Sequence, residues 1–192
     1  MRKKIFLLWL VTGIAFMAVP FVFRIYDRKQ ADRYISEFEV NENEEEDGKE
    51  TASSKKKDSQ KIPETAIGII EIESLAVRYP IFEGTEGAQL DLGIGHLTGT
   101  APLCERGNAV LAGHNGSRRG LFFTRLNEIE NGAKVRVTNK SKVTHTYEVY
   151  ETGVYDPFDQ TVCRDSAEEC LTLFTCACSG TRRFVVRCRL ER

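Results

Sequence analysis

LTLFTC, residues 171–176, is an apolar run rich in β-branched residues that ends in a cysteine, Cys176. A polar segment follows at 177–181, and a second strand-like run at 182–186 begins with two arginines. This pattern predicts two antiparallel strands joined by a short turn, with the thiol at the tip of the first strand. A cysteine in that position could act as a nucleophile beside one of the arginines. An inert cysteine that ends a buried strand has the same sequence pattern.

The two arginines differ in the strand face that they occupy. Residues that flank the loop of a two-stranded antiparallel ribbon lie roughly 5–8 Å apart, so Arg183 is close enough to reach the neighbourhood of Cys176. Arg182 points to the opposite face because side chains alternate along a strand. Arg183 is therefore the predicted catalytic cation, and Arg182 is the alternative. Such a cation favours the reactive thiolate and stabilises a developing oxyanion.

Three histidines are available as a proton acceptor for this cysteine. His145 lies between two threonines in a predicted strand and is expected on a sheet face. His96 lies in a glycine-rich loop, where it is structural or lines a cleft. His114 ends a buried-looking strand at 108–114 and precedes a loop, which is the position from which a side chain reaches across the mouth of a barrel. Of the three, His114 is therefore the candidate for a functional histidine.

Short strand patterns recur along the chain from residue 62 onward. They lie at 66–72, 77–82, 108–114, 134–138, 143–150, 171–176 and 182–186. Apolar positions 122, 126 and 129 predict one short helix. Seven or eight strands without a βαβ rhythm predict an all-β fold, a single antiparallel barrel or sandwich. The net charge of −1 and the lack of a basic, aromatic-interleaved stripe argue against nucleic acid as a partner.

The N-terminal segment predicts a membrane anchor. Three basic residues at 2–4 precede an uncharged apolar run at 5–23. About 19 residues of helix span roughly 28 Å, which is close to the thickness of a hydrocarbon core. A cleaved signal peptide is the alternative, but the run is longer than a typical signal core and no small-x-small cleavage site follows it. We expect a cytoplasmic tail at 1–4, a single transmembrane helix at 5–23 and the remainder outside the membrane.

The next segment, 24–61, is expected to be a charged flexible spacer. It contains an acidic block at 42–50 and a basic block at 53–58, neither of which has apolar residues to bury. At most one short helix, near residues 30–38, is expected in this segment. A polyelectrolyte that binds cell-envelope material is the other interpretation of these charges, and composition favours the tether. The folded domain is predicted to cover 62–192.

The six cysteines all lie in the C-terminal half, and no CxxC pair is present. Their spacing does not match zinc ribbons or fingers, so no metal is predicted among them. A disulfide between Cys163 and Cys170 fits across a loop outside the cytoplasm. Cys178 shares a strand face with Cys176 if the strand continues, and it would then be able to trap the nucleophile on oxidation.

Taken together, these residues resemble the sortases, the membrane-anchored cysteine transpeptidases of Gram-positive bacteria. The match consists of TLFTC at 172–176 against the family's TLxTC, His114 at the end of a strand, and an arginine that opens the last strand. GHLTGT at 95–100 and LFFTRL at 121–126 are also similar to sortase sequence. The resemblance extends from about residue 62 to the C-terminus, and it makes the inert-core interpretation of Cys176 the weaker one.

The resemblance implies an eight-stranded sortase-type β-barrel with one or two short helices, preceded by the single N-terminal transmembrane helix. It also implies that Cys176, His114 and Arg183 form the active site, with Thr175 as a supporting residue. The expected reaction cleaves an LPxTG-like signal between Thr and Gly through a thioester, and then transfers the acyl part to an amine on a cell-wall precursor or another protein. Surface proteins or pilins would be the substrates, and the catalytic domain would lie on the extracytoplasmic side of the cell membrane.

The subclass and two other functions stay open on the sequence alone. No second apolar segment follows the barrel, unlike in pilin-polymerising class C sortases, and an N-terminal anchor alone fits classes A, D or E, of which class D is favoured. Acidic residues in the 156–169 loop allow a Ca²⁺ site like that of some class A enzymes, and no other cofactor is expected. The other functions are a non-catalytic surface β-barrel that only binds, and a cysteine hydrolase that uses water as the acceptor.

Overall fold

The computed structural model describes Trp9, Lys29 and residues 31–39, 65–116 and 121–191. The predicted cytoplasmic tail lies outside these residues, as do the predicted anchor apart from Trp9 and most of the predicted spacer. Within the described ranges, no helix combines the length and the apolar character that a membrane crossing needs. The boundaries of tail, anchor, spacer and domain therefore stay predictions.

The described residues form eight β-strands that close into a barrel. The strands are β1 (Gly68–Ile72), β2 (Val77–Glu83), β3 (Ile94–His96), β4 (Gly107–Ala112), β5 (Lys134–Asn139), β6 (Thr144–Tyr155), β7 (Glu169–Ala177) and β8 (Arg182–Leu190). Around the barrel they follow the order β1-β2-β3-β4-β7-β8-β6-β5. The eight-stranded barrel implied by the sequence is confirmed.

The barrel is mixed rather than purely antiparallel. Strands β2 and β3 pair in parallel, and so do β4 and β7. Parallel neighbours need a long connection, which residues 113–168 with β5 and β6 supply between β4 and β7. The prediction of an antiparallel barrel is wrong in this respect, because local strand patterns do not reveal which distant strands become neighbours.

Side-chain alternation along the strands divides the barrel into an apolar inside and a mixed outside. The interior includes Ile70, Tyr147, Leu173 and Val186, each at most 1% exposed. Burying such a side chain contributes roughly 1.5–3 kcal/mol, so this layer supplies most of the stabilisation of the fold. The Tyr147 hydroxyl donates to Glu169 at 2.6 Å, which satisfies its polar atom, and burial raises the pKa of this tyrosine.

Residues 121–129 do not form the predicted helix. Phe122 has a left-handed backbone with a φ of 55°, which a helix does not accommodate, and only the 3₁₀ turn Leu126–Glu128 follows it. Phe123 and Ile129 are buried in the main core. The apolar spacing of this stretch therefore reflects an irregular segment that packs its side chains on the barrel.

A helix at 31–39, named α1, packs on the outside of the barrel. Its residues Ile35 and Phe38 are 2% and 8% exposed, and they form one apolar cluster with Ile69 of β1 and Phe82 of β2. The short helix expected within the spacer is present, but the structure differs from the expectation of a solvated segment there. The sequence of this charged segment does not reveal that its few apolar residues pack on the barrel, because their partners on β1 and β2 are distant in the sequence.

Replacing Ile35 by Ala is expected to lower the free energy of unfolding of the full-length protein by about 2–4 kcal/mol, because it leaves a cavity between α1 and the barrel. Urea unfolding followed by circular dichroism measures this change. Glu37→Ala is the matched control, since Glu37 forms an exposed ion pair with Arg33 on the same helix. Equal stability of the Ile35→Ala variant and the wild type would contradict the packing of α1 on the barrel.

Candidate active site

Cys176 lies near the end of β7, on the outer face of the barrel. Leu171 and Leu173 belong to the core, and Thr175 is 2% exposed, whereas Cys176, one residue further, is exposed. Alternation along β7 thus brings the thiol to the surface. An inert core cysteine would be buried, while a reactive one needs access to its substrate.

Arg183 lies directly opposite Cys176 on the neighbouring strand β8. Opposite residues of an antiparallel pair project from the same face, with their Cβ atoms about 4.5–5.5 Å apart. Arg182 is paired with Ala177 and projects from the other face. The register therefore provides the arrangement expected for Arg183 and not for Arg182.

The turn between β7 and β8 holds the Arg183 side chain. It is the 3₁₀ turn Cys178–Gly180, whose first two residues have positive φ angles of 49° and 56°. Arg183 Nη1 donates to the carbonyl oxygens of Gly180 and Arg182, each at 3.1 Å. A guanidinium has five N–H groups, so these bonds leave other donors for a ligand.

His114 reaches the same face from the other side of β7. It follows β4, which pairs in parallel with β7 so that Ala112 lies opposite Phe174. Two residues beyond this pair, the register brings His114 level with Cys176. The chain after β4 stays in contact with β7 beyond the end of the strand, since Asn115 Nδ2 donates to the carbonyl oxygen of Cys176 at 2.5 Å. The His114 side chain is 41% exposed and thus accessible to a substrate.

Thr175 supports the backbone from which His114 projects. Its hydroxyl donates to the carbonyl oxygen of Gly113 at 2.6 Å. The Gly113 N–H in turn donates to the carbonyl oxygen of Phe174 at 3.2 Å. A side chain at Gly113 has no room, because its Cβ would lie 2.6 Å from the Phe123 ring. The geometry of Thr175 thus suits the supporting role that the sequence resemblance implies.

Asp91 is an acidic residue that faces His114. It ends the short helix α2 (Gly87–Leu90), and its Oδ1 lies 3.5 Å from His114 Nε2. The following residue, Leu92, packs against the apolar cluster that contains Phe82, which ties this corner to the barrel. The contact is an ion pair only when the ring is protonated, and both side chains are largely exposed. No motif in the sequence separates Asp91 from other loop carboxylates, so it was not predicted.

The other two histidines belong to hydrogen-bonded networks elsewhere in the barrel. His96 is 5% exposed, its Nδ1 lies 2.9 Å from Glu83 Oε2, and its Nε2 lies 2.9 Å from the carbonyl oxygen of Ala101. His145 Nδ1 lies 2.6 Å from Glu169 Oε1. Both ring nitrogens of His96 are engaged, and His114 is the histidine that the register of β4 and β7 brings level with Cys176.

All six cysteines lie in the described ranges and are free. The predicted Cys163–Cys170 disulfide is therefore not formed: Cys163 ends a 3₁₀ helix at the surface, whereas Cys170 is half-buried on β7. Burial raises the pKa of four thiols, those of Cys104, Cys163, Cys170 and Cys188. Cys176 and Cys178 are exposed.

The carboxylates of the 156–169 loop do not gather around a common centre. Among the described residues, no group of three or more His, Cys, Asp or Glu side chains is placed to hold a metal ion. Asp156 and Asp159 accept hydrogen bonds from the backbone N–H groups of Phe158 and Thr161. These two carboxylates therefore close turns of the loop, and the Ca²⁺ site there stays a prediction.

Comparison with known proteins identifies the family. The sequence profile of the Sortase domain matches residues 70–191, which is more than half of the chain. The chain belongs to the sortase family. A Sortase D of Bacillus subtilis (strain 168) is 37% identical over 117 residues, which cover 59% of this chain and 57% of that protein. A Sortase A of Streptococcus agalactiae serotype III (strain NEM316) is 32% identical over 133 residues, which cover 66% of this chain and 53% of that protein.

Solved sortase structures are similar to this one. The Clostridium perfringens Sortase D5 transpeptidase has a TM-score of 0.65 and 25% identity, and the match covers 86% of this chain and 98% of that chain. Sortase A from Corynebacterium diphtheriae has a TM-score of 0.62 and 29% identity, and the match covers 66% of this chain and 61% of that chain. The chain spans little more than half the length of the two curated relatives. Sortases named A and D are both similar, so the family is shown and the subclass is not.

Alkylation by iodoacetamide is expected to occur at Cys176 at least about tenfold faster than at Cys178, because the thiolate is the reactive species and the strand registers bring His114 and Arg183 level with Cys176. Peptide mass spectrometry after partial labelling of the full-length protein measures both rates. Cys178→Ser is the control and leaves the Cys176 rate unchanged. Equal rates at the two exposed thiols would contradict an activated Cys176.

Thr175→Val is expected to slow Cys176 alkylation and to lower the free energy of unfolding by about 1–3 kcal/mol, since it leaves the buried Gly113 carbonyl oxygen without its donor. Thr175→Ser retains the hydroxyl and is the matched control. Alkylation kinetics and urea unfolding measure the two effects. If the valine and serine variants are indistinguishable, the hydrogen bond to Gly113 does not support the site.

Proposed function

We propose that this chain is a membrane-anchored cysteine transpeptidase that cleaves LPxTG-like signals between Thr and Gly and transfers the acyl part to an amine. The observation that carries the proposal is the placement of three reactive groups on adjacent strands: His114 follows β4, Cys176 is the penultimate residue of β7 and Arg183 is the second residue of β8. All three belong to the outer face, which a peptide can reach. The similar Clostridium perfringens protein is described as a transpeptidase, which supports the same reaction type.

In the first half-reaction, the Cys176 thiolate attacks the carbonyl carbon of the signal's threonine, and a tetrahedral oxyanion forms. The His114 imidazolium then donates its proton to the departing glycine nitrogen, and the C–N bond breaks. The peptide that begins with glycine leaves as an amine. The enzyme is left with a thioester on Cys176 and a neutral imidazole.

In the second half-reaction, the incoming amine attacks the thioester carbonyl carbon while neutral His114 accepts a proton from its nitrogen. The C–S bond breaks, and a new amide joins the two substrates. This step regenerates the Cys176 thiolate and the His114 imidazolium. The enzyme therefore returns to its starting protonation state after each turnover.

Arg183 is the proposed oxyanion-stabilising residue. It is paired directly with Cys176, and its guanidinium has N–H groups beyond the Nη1 group that binds the turn. A charged donor aimed at a developing oxyanion stabilises the transition state more than the ground state. Asp91 Oδ1 lies 3.5 Å from His114 Nε2, so its proposed part is to pair with the imidazolium form of the ring.

The proposed location is the cell membrane, with the apolar run at 5–23 as a single-pass anchor and the barrel on the extracytoplasmic side. LPxTG-bearing surface proteins or pilins and the amine of a cell-wall precursor would meet the enzyme there. Because α1 at 31–39 packs on the barrel, the seven residues of sequence 24–30 would separate the proposed anchor from the part of the chain that packs there. Seven residues span at most about 25 Å in any conformation, so the barrel would stay close to the membrane surface.

The test incubates the full-length protein with an LPxTG peptide and triglycine and identifies the products by mass spectrometry. The wild type is expected to form the amide product, and Cys176→Ala to abolish it. His114→Ala is expected to lower kcat/KM by about 10²–10⁴-fold through loss of proton transfer. Arg183→Ala is expected to lower it by about 10²–10³-fold through loss of oxyanion stabilisation, and its matched control Arg182→Ala by less than about threefold.

Three outcomes would contradict parts of this proposal. Equal background turnover by the wild type and by Cys176→Ala would mean that the barrel binds without catalysis. Free acid in place of the amide, even at high triglycine, would mean that water is the acceptor. Equal small losses for Arg182→Ala and Arg183→Ala would remove Arg183 from its assigned role.

A further inference from the structure

Phe122 returns to the neighbourhood of His114 although eight positions separate the two residues in the sequence. The Phe123 N–H donates to the carbonyl oxygen of His114 at 3.2 Å, which brings the chain back to the end of β4. Leu121 and Phe123 are buried in the main core and anchor the segment on both sides of Phe122. Phe122 itself is half-buried, so its ring lies near the surface that His114 occupies.

The backbone holds Phe122 in a conformation that phenylalanine rarely adopts. Residues 121–124 form a turn, in which the Thr124 N–H and hydroxyl both donate to the carbonyl oxygen of Leu121, at 3.2 and 2.6 Å. Phe122 is the second residue of this turn, and its φ is 55°. Glycine, asparagine or aspartate normally occupies a turn position with positive φ. Such a conformation persists only where the surrounding contacts impose it, and it is common at functional sites.

The Phe122 ring contacts two other rings. Its centroid lies 6.4 Å from that of the His114 imidazole, with the planes inclined at 60°. It also lies 5.0 Å from the centroid of the Tyr79 ring, at an inclination of 47°. Tilted rings at such distances attract each other beyond the effect of the area that they bury. Because Tyr79 belongs to β2 and is part of the main core, Phe122 links the imidazole to a buried residue of the barrel.

Asp91 contacts the same imidazole, but this contact restricts the ring less. The two atoms lie 3.5 Å apart and both side chains are largely exposed, so water and salt screen the pair. The pair also loses its charge attraction when the imidazole is neutral. Ring packing against Phe122 does not depend on a charge. Phe122 therefore restricts the His114 ring in both of the protonation states that the two half-reactions use.

We propose that Phe122 is a positioning residue that limits the rotation of the His114 imidazole, so that the ring stays directed for proton transfer to and from the substrate nitrogen. This role deepens the proposed transpeptidase function and rests on it. Phe122 acts through His114 and not on the reacting atoms. Its loss therefore lowers kcat, which includes the proton transfers, and leaves the KM for the acyl-donor peptide unchanged.

The test compares the full-length wild type with Phe122→Leu, Phe122→Tyr and the control Tyr150→Ala. Leucine retains apolar bulk without a planar ring, whereas tyrosine retains the ring. Tyr150 is an exposed aromatic residue on β6, which pairs with β5 and β8. The first readout is kcat and KM for the LPxTG peptide at saturating triglycine. The second is the magnetic resonance signal of the His114 ring in protein with carbon-13-labelled histidine, assigned by its loss in His114→Ala.

Phe122→Leu is expected to lower kcat about fivefold with KM within about twofold of wild type, because the contact between the two rings is lost. Phe122→Tyr restores kcat to within about twofold of wild type, since the ring is present again. The His114 signal moves in Phe122→Leu, because the ring current of Phe122 no longer acts on it, and it stays close to wild type in Phe122→Tyr. Tyr150→Ala matches the wild type in both readouts.

Four outcomes would overturn the positioning role. A wild-type kcat in Phe122→Leu would mean that the ring is not needed. A raised KM at unchanged kcat would mean that Phe122 contacts the peptide instead of acting through His114. Equal losses in Phe122→Leu and Phe122→Tyr with an unmoved His114 signal would mean a general disturbance of the segment. If the wild type forms no amide, the transpeptidase function is wrong and the positioning role is overturned with it, whereas the first three outcomes leave that function standing.

Discussion

The register of β7 between β4 and β8 is the constraint on which the candidate site depends. On the β8 side it pairs Cys176 with Arg183. On the β4 side it brings the C-terminal ends of β4 and β7 to the same level. A slip by one residue would turn the thiol into the barrel, because side chains alternate with a period of two. The same slip would bring Leu171 and Leu173 to the surface at a cost of roughly 1.5–3 kcal/mol each. The core therefore enforces the outward orientation of the Cys176 thiol.

The site also depends on β7 having one parallel and one antiparallel neighbour. The antiparallel pair, closed by a short turn, brings Arg183 beside Cys176 from seven residues away in the sequence. The parallel pair brings His114 to the same end from 62 residues away, since parallel strands end at the same edge of a sheet. Thr175 then links the two parallel strands where they end, through its hydrogen bond to Gly113.

The parts of the fold and site that the sequence predicts are those that local periodicity controls. The strand that ends at Cys176, the alternation that selects Arg183 and the strand that leads to His114 all appear as short patterns. The position of Asp91 beside the histidine depends on how a loop before β3 folds back, and no local pattern records that. The packing of α1 and the parallel pairing of β4 with β7 likewise depend on partners that are distant in the sequence.

The turn after Cys176 distinguishes an arginine at position 183 from a simple positive charge. Arg183 Nη1 binds the carbonyl oxygens of Gly180 and Arg182, and it thereby stabilises a turn that contains left-handed residues. The guanidinium is planar and rigid, so binding the turn with one group fixes the directions of its remaining N–H donors. A lysine ammonium on a flexible stem would bind either the turn or an oxyanion, without a fixed geometry for both. The arginine therefore couples the shape of the turn to the position of the charge on the strand beside Cys176.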